Sequence, residues 1–221
     1  MLQQSTLNYI KSLSKNNNKP WFDENRNTFE TAKQDFEKLV KEIIRSFGEI
    51  DPDVASLEAK NCTFRQYRDV RFSKDKTPYK GHMGASFDRG GKKSGFAGYY
   101  LHIEPGDKSM AGGGIWMPEA PALKKIRQEI DYGWDELREI INNKDFKKIF
   151  GDLEGGEFKL SREPKGYEKD NPAIEYLKLK SIVATHPLTD KELVSKDLFE
   201  KIISSFTALM PLIKFINRSL E

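Results

Sequence analysis

This sequence predicts an α+β fold, a central antiparallel β-sheet packed against N-terminal and C-terminal α-helices, and three observations predict it. Apolar residues recur every three or four positions from Phe22 to Phe47 and again from Leu198 to Ile213, the period of one helical face. Between Cys62 and Trp116 the period falls to two, with reversals at Gly90-Gly91 and Pro105-Gly106-Asp107 short enough to favour antiparallel pairing. No helical pattern separates those middle runs, which argues against a doubly wound parallel sheet. A length of 221 residues fits a single domain over 1–221.

In chain order, Leu7, Ile10 and Leu13 mark a short first helix ended by Asn16-Asn17-Asn18. Residues 21–47 read as one helix, with Pro20 near its start and Gly48 just past its end. Asp51-Pro52-Asp53 opens a turn or a short helix. Strands are predicted over 62–72, 84–87, 95–104, 109–116 and 177–185. Helical pattern resumes with Leu123, Ile126 and Ile130, then Trp134, Leu137 and Ile141, then 143–150 with Gly151 as its stop. Thr189 and Glu192 have capping-box spacing. A last helix from about Asp197 turns Leu198, Ile202, Phe206, Leu209 and Ile213 inward, and Pro211 is expected to kink it. Residues 155–171 are a polar connection of the sort that either edges a site or covers surface.

With 37% hydrophobic and 32% charged residues and a mean hydropathy of -0.68, disorder and fibrous repeats are excluded. Apolar runs fall short of the ~20 residues a spanning helix needs, and the polar start carries no secretory signal, so no membrane partner is expected. Cys62, the one cysteine, cannot form an internal disulfide, and a cytoplasmic location is the default. The net charge of +3 is too small for nucleic-acid binding as a whole-chain property. Its distribution is uneven: 65–80 holds six cations against two acids, a net of +4, which leaves the rest of the chain at −1. A local cationic site suits a small anion better than a long groove.

That segment carries the chemistry. On a strand over 62–72, Phe64, Gln66, Arg68, Val70 and Phe72 share one face, so Arg68 sits among apolar neighbours and needs a protein carboxylate or a ligand anion as partner. The planar forks of Arg65, Arg68 and Arg71 match phosphate and carboxylate oxygens two at a time, and Asp69 between them either orients the forks or consumes their charge. Lys74, Lys76 and Lys80, in a loop restrained by Pro78, either close over a bound anion or form a solvated turn. Lys76, Tyr79 and Arg127 complete the anion-binding candidates, Arg127 as a fork bordering a buried helix face. In the 95–104 strand, Gly98, Tyr100, His102 and Glu104 alternate with the apolar Ala97, Tyr99, Leu101 and Ile103. Glu104 beside His102 raises its basicity and fixes its tautomer, so His102, Glu104 and Asp69 are the proton-transfer candidates, with a hydrogen-bonded structural histidine as the alternative. His82, His102 and His186 lie far apart in sequence and lack paired-ligand spacing, so no metal is expected, and no cofactor either. Gly112-Gly113-Gly114 lacks a phosphate-loop or dinucleotide spacing and reads as a close backbone approach or a bulge.

The pattern Arg65-x-x-Arg68-Asp69-x-Arg71-Phe72 followed by Lys76-x-x-Tyr79 resembles the defining motif of a bacterial family of conserved hypothetical proteins, domain of unknown function family 2461, also found in some fungi. The resemblance extends through Asn17 to Phe22, Gly98 to Pro105, Gly112 to Pro118, Ile126-Arg127 and Pro164 to Tyr167, and so covers essentially the whole chain. It implies no activity, cofactor or catalytic residue. Three functions remain open from the residues: a small-anion site of an enzyme on a phosphorylated or carboxylated metabolite; a nucleic-acid module using 65–80, with Tyr67 or Tyr79 stacking on bases; and a structural salt-bridge network. The sequence leaves the oligomeric state undetermined.

Overall fold

A computed structural model describes residues 1–156 and 159–221. It is an α+β protein built on one four-stranded antiparallel sheet, β1 Met83–Asp88, β2 Gly98–Ile103, β3 Ser109–Ile115 and β4 Ile182–Leu188, in the order β1-β2-β3-β4. Before the sheet come α1 Gln4–Lys15, α2 Lys19–Glu24, α3 Arg26–Phe47, α4 Pro52–Ala55 and α5 Ala59–Cys62. Between β3 and β4 lie α6 Ala120–Tyr132, α7 Trp134–Asn142, α8 Lys144–Phe150 and α9 Ile174–Leu177, and α10 Asp190–Leu193 and α11 Leu198–Arg218 follow. No helix of the described residues is long and apolar enough to cross a membrane.

Contacts group the chain into two compact units, the first made of Met1–Phe87, Tyr100–Ala111 and Pro187–Ile203, the second of Asp88–Tyr99, Gly112–His186 and Ser204–Glu221. In the first unit the inward stripe of α1 (Leu7, Ile10, Leu13) and that of α3 (Phe36, Leu39, Val40, Ile43, Phe47) are all buried, as helices of this period require when they pack on each other. The Asp35 carboxylate ties the start of α1 to α3, accepting from the Gln3 amide at 2.8 Å and the Thr6 hydroxyl at 2.6 Å. In the second unit Tyr99 packs on Phe206 with ring centres 5.0 Å apart. There Gly113 and Gly114 let β3 approach its neighbours closely: an added Cβ would stand 2.4 Å from the Gly98 carbonyl oxygen and 2.0 Å from that of Ile182.

Three predicted elements are corrected. The helix expected over 21–47 is two, because the Asn25 side chain bonds the Trp21 carbonyl at 2.9 Å and interrupts the helix there. The run 177–185 starts as α9 and its strand begins only at Ile182. The strand expected over 62–72 is an irregular ribbon instead: α5 ends at Cys62, and antiparallel bridges form singly, Thr63 with Ala85 and Tyr67 with Tyr79. Past Arg68, aspartate side chains take over the backbone, Asp69 accepting from the Arg71 amide at 3.3 Å and Asp75 from the Thr77 amide at 2.9 Å, and these local bonds compete with a ladder. The capping box of Thr189 and Glu192 forms as the spacing predicts. Of the connection read over 155–171, residues 157 and 158 lie outside the described residues.

Candidate functional site: a histidine pair on the second strand

The ribbon in the first unit is held at its base. Asn17 bonds the Tyr79 backbone twice, its amide donating to the carbonyl at 2.9 Å and its oxygen accepting from the N–H at 3.0 Å. The Tyr79 ring, buried at 2% exposure, stacks on Phe22 at 4.1 Å, and Tyr67 leans on both. Tyr79 is therefore committed to packing. Across the ribbon, the buried Gln66 donates its amide to the carbonyls of Lys80 and His82, which fixes where the second arm carries its side chains.

The arginines are mostly satisfied within their own loop. Arg68, with its side chain 26% exposed, is paired by the Asp75 carboxylate and donates to the Thr77 hydroxyl. Arg71 and Asp69 form a two-pronged pair at 3.0 and 2.7 Å in solvent, and the Arg71 guanidinium lowers the Asp69 carboxyl below its ordinary range. Lys76 donates to the Val70 carbonyl at 2.9 Å. Arg65 is exposed, and Phe72 at the loop's end is 97% exposed. Arg127 belongs to the second unit, where it donates to the carbonyls of Leu177 and Leu179 at 2.8 and 3.3 Å. The motif residues are thus brought together with one another, largely through protein partners.

The first unit gathers a different set of chemistry. Alternation along β2 and its exit puts Leu101 and Ile103 in the core and Tyr100, His102 and Glu104 in a half-buried row. The row is hydrogen-bonded end to end, Tyr100 hydroxyl to His102 Nδ1 at 3.2 Å and His102 Nε2 to Glu104 Oε2 at 3.0 Å. The buried Ser109 hydroxyl locks the Glu104 backbone by accepting from its N–H at 2.9 Å and donating to its carbonyl at 3.0 Å. His82 lies over His102 with ring centres 4.3 Å apart. Burial, then the charges of His102 and Lys80 with a smaller share from Arg68, push the His82 imidazole down to about 4 against the opposing pull of Glu104. Among the described residues no hydrogen bond reaches the His82 ring. Burial raises the Glu104 carboxyl, but the His102 hydrogen bond and charge together with Lys108 outweigh it and hold it below its ordinary value. Of the proton-transfer candidates, His102 and Glu104 are in direct contact, while Asp69 is engaged with Arg71. His82 was missed as a partner because ribbon and strand are distant in sequence. A usable signal existed: Lys80 and His82 are two apart, as are Tyr100, His102 and Glu104, so each arm projects its polar groups to one side.

The fold and this cluster define an α+β protein with a polar, histidine-centred row on one face of its second strand. The chain belongs to the family described as Conserved hypothetical protein (DUF2461), which matches residues 5–215. No curated protein and no solved structure matches it.

Proposed function

We propose that this protein is an enzyme acting on a small metabolite bearing a phosphate or carboxylate, and that the ligand meets the His82–His102 face and not the arginine loop. One observation carries the reading: a neutral imidazole, His82, lies beside the bonded row Tyr100–His102–Glu104, with Lys80 two residues before it on the same arm. Clustered titratable groups with a perturbed member are the usual mark of a reacting site. The charges of Lys80 and Arg68, which help keep His82 neutral, also make this face attractive to an anion. Arg68 acts here at a distance through its charge, since its fork is occupied by Asp75 and Thr77.

The test is thermal stability across phosphate, sulfate, sugar phosphates, dicarboxylates and short oligonucleotides, each with and without added divalent metal, because a ligand of the folded state raises the melting temperature. A rise with one anion class, lost in Lys80→Met, is the expected result. No rise with any small anion under either condition overturns the reading. A second reading has one observation in its favour, the exposed Phe72 beneath the Arg71 guanidinium at 5.9 Å, an arrangement that suits a base stacked among backbone phosphates. It predicts a rise with oligonucleotides alone, abolished by Phe72→Ala.

A further inference from the structure

We infer that His82, His102 and Glu104 form a binding site for a divalent first-row metal ion, and that the anion of the reading above is bound through that ion. The metal site stands on geometry of its own; only the anion rests on the earlier reading. Each of the three residues offers one donor atom, and these atoms lie within 4.8 Å of one another. Around a tetrahedral zinc with bonds of ~2.1 Å the donors are about 3.4 Å apart, so His102 Nε2 and Glu104 Oε2, at 3.0 Å, open by a few tenths of an ångström while the wider spacings close by roughly an ångström, both within the reach of side-chain adjustment. Two imidazole nitrogens and one carboxylate oxygen are the ligand set of metal sites that keep open positions for water or substrate, zinc in hydrolytic enzymes and iron or manganese in others.

The surroundings fit this role residue by residue. With Nε2 on the metal, His102 keeps its proton on Nδ1 and donates it to the Tyr100 hydroxyl, whose oxygen stands 3.2 Å away; such an outer partner orients a ligating histidine. The ion then takes the place of the hydrogen between His102 Nε2 and Glu104 Oε2, now 3.0 Å apart. Gln66 fixes the backbone of His82 at 3.3 Å and Ser109 fixes that of Glu104, both from buried positions, while the half-buried Tyr100 stands behind His102. The His82 ring, to which no hydrogen bond runs among the described residues, leaves a ring nitrogen open to an ion. Glu104 neutralises half of the ion's charge, and Lys80 adds to what remains, so a bound ion leaves a net positive centre whose open positions suit phosphate or carboxylate oxygens.

The experiment is calorimetric titration of the full chain, stripped with chelator, against Zn2+, Mn2+ and Co2+, together with the visible spectrum of the Co2+ form. One equivalent of at least one ion is expected to bind, and the Co2+ spectrum is expected to report nitrogen and oxygen ligands. His82→Ala and Glu104→Gln should each weaken binding 10–100-fold, with Asp69→Asn and His186→Gln, outside the site, leaving it unchanged. Failure of the wild-type chain to bind one equivalent of any of the three overturns the metal site, as does binding indifferent to both His82→Ala and Glu104→Gln. Circular dichroism of each variant separates lost ligation from lost folding. Metal bound without any anion response removes the anion and leaves the metal; an anion response of equal size in chelator overturns binding of the anion through the ion and leaves the metal site to the titration.

Discussion

The imidazoles of His82 and His102 lie 4.3 Å apart at their centres, one carried by the irregular ribbon and the other by β2. Gln66 holds the ribbon's arm of that pair, its side-chain amide donating to the carbonyls of Lys80 and His82.

Gln66→Leu therefore removes both bonds to these half-buried residues. A net loss of about 0.5–1.5 kcal/mol per hydrogen bond gives about 1–3 kcal/mol for the two. The expected outcome is a destabilisation of that size by denaturant titration, with divalent-metal affinity falling alongside it. Unchanged metal affinity in the folded variant would show that Gln66 does not position His82.

Gly84→Ala separates positioning from stability. A Cβ there would stand 2.8 Å from the Tyr100 hydroxyl, the far end of a movable side chain. Tyr100 is expected to swing away from His102 Nδ1, lowering metal affinity severalfold while the melting temperature changes by only a few degrees. A Tyr100→Phe variant should give the same binding loss.

Arg68→Ala is expected to loosen the 69–77 loop without abolishing anion binding. Its guanidinium is partly solvated and its partner Asp75 lies in water, so the pair is worth less than a buried one. Faster proteolytic cleavage within the loop, with the anion-induced thermal shift retained, is the predicted pair of results.

Gly114→Ala should be among the costliest single changes in the second unit. The residue has φ of 124° and its Cβ would meet the Ile182 carbonyl oxygen at 2.0 Å. Backbone strain plus displaced strand contacts predict a loss of about 2–4 kcal/mol, measured by chemical denaturation.

Glu192 gives a pH test. Its bonds with Lys201 first, then with the Thr189 backbone and hydroxyl, lower its carboxyl from 4.5 to about 2. The folded state thus favours the charged form, and the stabilisation is present above pH 4.5 and lost as pH falls toward 2. Wild type should melt above Glu192→Gln at neutral pH, with the gap closing across that window in scanning calorimetry.

The long helices were legible because each exposes one face to water, so the apolar period of α3 or α11 survives in the sequence, whereas the single turns α5 and α9 are too short to show a period. The same is true of β2, whose core residues and polar row alternate as read. The ribbon was not legible as such. Its bends come from Asp69 and Asp75 capturing nearby backbone N–H groups, and an alternation count does not register a side chain that bonds its own loop. Arg68 was read as needing a partner on a strand that does not form, and the choice between Asp75 and a ligand depends on loop geometry alone. The histidine pair was hidden for a related reason: two-residue spacing puts polar groups on one side of each arm, but only pairing between the ribbon and its neighbours sets the register that brings His82 over His102.

Asn17, in bonding both backbone groups of Tyr79, does what an adjacent strand would do, and it does so from the turn between α1 and α2. The arm that carries Lys80 and His82 is thereby tethered to the helical N-terminal segment. Its amide protons should exchange with solvent at the pace of that segment and not at the pace of a loop, so that loss of helical order between α1 and α2 would release His82 from His102 in the same cooperative opening.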